Sequence, residues 1–135
     1  MATPEVCSPV STLPGVFETG PEHVKAGVTV ETTEAVFAGH YPGRPILPGM
    51  CVVEYVRLAA LANLPETPGG WRLAAIESGR FLSPVLPEDR LVIDCVSSAG
   101  DTGPRCSATV STERGVMARV RLRFEARRAR EESTE

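Results

Sequence analysis

Ala38–Asn63 reads AGHYPGRPILPGMCVVEYVRLAALAN, and its two halves obey opposite rules. In Ala38–Gly49 three prolines (Pro42, Pro45, Pro48) and three glycines (Gly39, Gly43, Gly49) fall within twelve residues. Proline lacks an amide donor and fixes φ, so this stretch forms neither a helix nor a central strand. It reads as a rigid loop that holds His40, Tyr41 and Arg44 in place. Met50–Asn63 then has the length and composition of a helix, ended near Pro65. It is apolar almost all round, apart from Glu54 and Arg57, and such a helix is enclosed by protein on most sides. Glu54 is costly in that setting unless it is paired or used.

Outward from this helix the chain is strand-like. Val24–Val30 reads as a strand entered from a Gly20–Pro21 turn, and Thr32–Phe37 as a helical turn capped by Thr32 or Thr33. Beyond the loop Pro65–Gly70, Trp71–Leu82 and Arg90–Ser98 are strands separated by the turn Pro84–Asp89. Pro104–Ser111 and Val116–Ala126 are two more, separated by Thr112–Gly115. The last alternates cleanly, with Val116, Ala118, Val120, Leu122 and Phe124 on one face and Met117, Arg119, Arg121 and Arg123 on the other. One apolar helix beside a long antiparallel sheet is an α+β arrangement in which the sheet curves over the helix. One helix does not cover both faces of such a sheet, so a second subunit is expected. Residues 1–14 read as a flexible leader, 15–126 as one domain and 127–135 as a charged tail.

Composition limits the function classes. The 135 residues carry 14 basic against 17 acidic side chains, a net charge of −3, which argues against general affinity for nucleic acid. No apolar run approaches the roughly 20 residues of a membrane helix. Met1–Val16 lacks a basic start and an apolar core, so no signal peptide is read and a cytoplasmic protein is expected. Cys7, Cys51, Cys95 and Cys106 show no CxxC spacing, and the histidines are His23 and His40, so neither a metal nor another cofactor is expected. Cys51 and Cys95 read as small buried hydrophobes, and His23 as a surface residue of a Gly-Pro turn region.

The chemistry concentrates around the helix start. The first amides of a helix have no internal acceptor, and the positive end of its dipole points outward there. Glycine at Gly49 lets a substrate approach that backbone. His40, Gly49 and Glu54 thus offer a base, an oxyanion donor and an acid within fifteen residues.

Gly39-His40-Tyr41-Pro42-Gly43-Arg44-Pro45-Ile46-Leu47-Pro48-Gly49, with Glu54 fourteen positions after His40, resembles the signature of the hotdog-fold β-hydroxyacyl-acyl-carrier-protein dehydratases of the FabZ type. Arg80-Phe81, Pro84-Val85 and Pro87-Glu88-Asp89 resemble that family's second conserved segment, with Glu88 in place of a turn glycine. The resemblance implies a hotdog fold, an antiparallel sheet wrapped around one long central helix, paired into a homodimer or a trimer of dimers. It further implies a hydro-lyase that converts (3R)-3-hydroxyacyl-acyl-carrier-protein thioesters to trans-2-enoyl thioesters in fatty-acid or polyketide synthesis. His40 of one chain would then be the base and the opposing chain's Glu54, kept un-ionised by apolar surroundings, the acid. The Gly49 amide would bond the thioester oxygen. Glutamate rather than aspartate at this position favours dehydration without isomerisation. The implied partner is an acyl carrier protein bearing a phosphopantetheine-linked 3-hydroxyacyl chain, with Arg44, Arg80, Arg119, Arg121 and Arg123 as candidate docking residues.

Each reading has a plainer counterpart. Arg57, three residues beyond Glu54, can pair with it and keep it ionised. The arginine stripe can be a solvated sheet face. The chain can also be a hotdog thioester hydrolase that uses the helix carboxylate without a histidine base, or a non-catalytic carrier-protein-binding subunit.

Overall fold

A computed structural model describes residue 10 and residues 12–31 and 46–127. The Thr32–Phe37 turn and the side chains of His40, Tyr41 and Arg44 lie outside the described residues. Among the described residues six strands and one helix follow in chain order: β1 (Gly15–Gly20), β2 (His23–Thr29), α1 (Gly49–Leu61), β3 (Trp71–Phe81), β4 (Arg90–Ser98), β5 (Arg105–Thr112) and β6 (Gly115–Ala126). They form one sheet in the order β1-β2-β4-β5-β6-β3, antiparallel at every junction.

Period-2 alternation selects the buried face. Val24, Ala26 and Val28 of β2, Leu91, Ile93 and Cys95 of β4, Cys106, Ala108 and Val110 of β5, and Ala118, Val120, Leu122 and Phe124 of β6 are all buried. Helix α1 completes this core with Cys51, Val52, Val53, Tyr55, Val56, Ala59 and Ala60. Burying a residue such as Val56 contributes about 1.5–3 kcal/mol. The expected antiparallel sheet around one apolar helix is therefore the observed architecture. Cys51 and Cys95 are buried in this core, as their apolar neighbours indicated.

Four features differ from the expectations. The helix ends at Leu61 rather than Asn63, because Ala62, Asn63 and Leu64 turn back through short bonds to the carbonyls of Ala59, Ala60 and Leu61. Strand β1 carries no buried stripe to announce it: Val16 and Phe17 are exposed, and it exists through its hairpin with β2 and a bulge between Val16 and Glu18. His23 is the first residue of β2, paired with Val96, and its Nε2 lies 3.1 Å from Asp94 Oδ1. It is a half-buried strand residue rather than part of a surface turn. Val10, within the stretch read as leader, is buried in the core.

The Pro84–Asp89 turn holds the sheet to the segment that precedes α1. Leu47 N–H donates to the Val85 carbonyl at 2.7 Å, Val30 N–H to the Asp89 carbonyl at 2.9 Å, and Glu88 N–H to the Val30 carbonyl at 2.6 Å. Glu88 has φ +75°, the left-handed region that favours glycine. Asp89 fastens the turn by accepting from the Leu86 amide at 2.8 Å and from both Nη atoms of Arg114 at 2.7 and 2.8 Å.

Candidate active site

The two motif segments, separated by some thirty residues of chain, meet at the start of α1. Pro48 occupies the N-cap in an extended conformation and offers no side-chain hydrogen bond to the first turn. Its carbonyl takes the Cys51 amide at 2.9 Å. Gly49 begins the helix against the ring of Phe81, the last residue of β3. A Cβ on Gly49 would stand 3.1–3.3 Å from three atoms of that ring, so the ring would have to give way to any larger residue here. Beside them opens a depression of about 340 Å³ lined by Leu47, Gly49, Val52, Phe81, Val85 and Met117. It is largely apolar, and the dipole end of α1 faces the same region, which suits an acyl chain that develops negative charge at one oxygen.

Glu54 lies on the second turn of α1 and is 9% exposed. Arg57 holds it with two parallel hydrogen bonds, Nε to Oε1 at 2.8 Å and Nη2 to Oε2 at 2.7 Å. The carboxylate in turn raises the Arg57 pKa, through the hydrogen bond above all and through charge attraction besides, against the opposing effect of burial. A fork-to-fork pair of this kind favours the ionised carboxyl. This is the pairing with Arg57 that the sequence offers as the plainer reading of Glu54. The i,i+3 spacing was the signal that pointed to it.

The candidate docking arginines separate into groups. Arg123 is half-buried, with its Nε 3.5 Å from Glu77 Oε2. Arg80 stands directly opposite Arg119 across the β3–β6 junction, and Arg121 stands opposite Ser78. The carbon stems of these three lie on the sheet face away from α1. Alternation puts Arg119 and Arg121 on one face of β6, whereas Arg80 joins them only through the sheet order, which sets β3 beside β6.

Comparison with known proteins agrees with this layout. A family model described as ApeI-like, ApeI dehydratase, matches residues 16–126. The chain belongs to the ApeI-like dehydratase family. Among curated relatives, the 3-hydroxyacyl-[acyl-carrier-protein] dehydratase FabZ of Thermus thermophilus is 36% identical over 84 residues, which are 58% of this chain and 59% of that one. The FabZ of Symbiobacterium thermophilum is 43% identical over 75 residues, 53% of each chain. The aligned part thus spans between half and three fifths of these relatives. In three dimensions the fold resembles a chain of the dehydratase heterocomplex ApeI:P from Xenorhabdus doucetiae, with a TM-score of 0.67, 17% identity, and coverage of 84% of this chain and 97% of that one. The family match and the FabZ relatives agree with the FabZ-type hotdog dehydratase resemblance that the GHYPGRPILPG segment carries.

Proposed function

We propose that this ApeI-like chain is a 3-hydroxyacyl-[acyl-carrier-protein] dehydratase, acting as a homodimer on a carrier-bound chain in fatty-acid or polyketide synthesis. The observation that carries the reading is the junction of the two motif segments. Phe81 packs on Gly49, and the Leu47–Val85 hydrogen bond closes a 340 Å³ apolar depression at the helix start. Among the described strands β3 stands at a sheet edge with Ile76 and Phe81 exposed, which supports pairing with a second copy there.

Eliminating water from a 3-hydroxyacyl thioester needs removal of a weakly acidic C2 proton and protonation of a departing hydroxide. The Arg57 pair favours a carboxylate at Glu54, and this sets the division of labour. His40 takes the C2 proton, the C2–C3 double bond forms as the C3–O bond breaks, and His40 returns the proton to the leaving oxygen as water. The partner subunit's Glu54 accepts a hydrogen bond from the 3-hydroxyl and holds it near the imidazole. The Gly49 amide takes the enolate charge, a donor worth about 10²–10³ in rate.

A hydrolase reading has one observation in its favour, since an ionised Glu54 is also what a carboxylate-based thioester hydrolase needs. One assay separates the two. With 3-hydroxyacyl-carrier-protein substrate, the dehydratase forms enoyl thioester and His40→Ala lowers this at least about a hundredfold. Release of free thiol that is insensitive to His40→Ala assigns hydrolysis instead. Tight carrier-protein binding with no product of either kind assigns a non-catalytic subunit.

A further inference from the structure

The sheet face away from α1 carries a second depression. Residues directly opposite one another in the antiparallel register share a face, so one row across the sheet reads Lys25, Asp94, Thr109, Arg119, Arg80. The next row reads His23, Val96, Ser107, Arg121, Ser78. At their β5–β6–β3 ends the two rows enclose a depression of about 470 Å³ lined by Arg80, Arg119, Arg121, Ser78, Ser107 and Thr109. Among the described residues no carboxylate lies within ion-pair distance of these three arginines. The acid on the rim, Asp94, is already engaged by His23 at 3.1 Å and Lys25 at 3.9 Å.

A like-charge pair placed directly across a strand junction destabilises the sheet. Arg80 and Arg119 form such a pair in a chain whose net charge is negative. An anion seated between them would turn that repulsion into attraction. Three guanidinium forks and three hydroxyls form a donor set for a group with several acceptor oxygens, which a phosphate supplies and a single carboxylate does not. The depression falls within the size range of small-molecule sites, about 300–1,000 Å³, and exceeds what a bare phosphate fills. The exposed side chain of Val96 gives it an apolar wall for the organic part.

We propose that this outer-face depression binds a phosphate ester, with Arg80, Arg119 and Arg121 clamping the phosphoryl oxygens. The site stands apart from the acyl depression, on the opposite face of the sheet, and does not depend on the reaction assigned above.

Calorimetric titration of the full chain tests it, with inorganic pyrophosphate, adenosine diphosphate, and an acidic carrier protein in its phosphopantetheinylated and unmodified forms as probes. Saturable binding of pyrophosphate or adenosine diphosphate, weakened about tenfold or more in Arg119→Gln/Arg121→Gln, supports a free phosphate ester. Binding of the phosphopantetheinylated carrier alone, lost in the same variant, supports a phosphoester carried on a protein. Equal binding of the unmodified carrier overturns the proposal in favour of docking by carboxylates. Absence of saturable binding, or identical binding by wild type and a variant shown by circular dichroism to be folded, overturns it outright. Arg105→Gln, on the same face but paired with Glu77 at 3.1 Å, serves as the charge control and leaves binding unchanged.

Discussion

Arg57 grips Glu54 through two hydrogen bonds of 2.8 and 2.7 Å within one turn of the central helix, and the carboxylate it holds is almost wholly shielded from water. The pair reconciles an acidic side chain with an apolar helix. It also makes the charge state of Glu54 depend on a neighbour rather than on burial alone.

Arg57→Ala leaves that carboxylate without its guanidinium partner and is expected to lower stability by about 1–2 kcal/mol, a figure discounted for the partial exposure of Arg57. Arg57→Lys keeps the charge but loses the planar fork, and falls between wild type and Arg57→Ala. Glu54→Gln lowers enoyl formation at least about a hundredfold with a smaller effect on stability. Urea unfolding and product assays on the same three variants give both numbers.

Gly49→Ala places a methyl group 3.1–3.3 Å from the Phe81 ring. That ring is half-exposed at 51%, so it can swing aside, and stability is expected to change by less than about 1 kcal/mol. The displaced ring then crowds the depression at the helix start, and turnover is expected to fall about tenfold or more. Gly49→Ala combined with Phe81→Ala recovers part of the loss, as steady-state kinetics on the single and double variants will show.

Glu88→Gly is expected to stabilise the protein. The left-handed backbone costs a residue with a Cβ about 1–2 kcal/mol, partly offset by glycine's greater freedom in the unfolded chain. The net gain of about 0.5–1 kcal/mol raises Tm by about 2–4 °C. The Glu88 amide bond to the Val30 carbonyl survives the change, so a thermal melt reads the backbone term directly.

Asp89 supplies a pH dependence. Hydrogen bonds from Arg114, with a smaller contribution from the Leu86 amide, hold its carboxyl below the ordinary value of 3.8, while burial works in the opposite sense. A carboxyl lowered in the folded state binds its proton more readily when unfolded, so its stabilisation is present above the ordinary value and is lost as pH falls through the folded one. The urea midpoint is expected to decline below about pH 4, and Asp89→Asn to flatten that decline while lowering the midpoint at neutral pH.

Legibility in the sequence followed the range of the interaction. Strands β4, β5 and β6 were placed within a residue or so because alternation is a local property of backbone geometry. Strand β1 escaped because an edge strand with both faces partly wet has no apolar period to detect. The meeting of Gly49 with Phe81 was implicit in two separate motifs but visible in neither alone.

Residue spacing alone therefore established one apolar helix, its lone acid–base pair, and a run of alternating strands, since each depends on neighbours no more than a few positions apart. Tertiary structure decided that Glu54 is held as an ion pair, because i,i+3 spacing permits that contact without imposing it. It also decided that Arg80 joins Arg119 and Arg121 around one depression, because the order of strands in a sheet is settled by how the whole core closes.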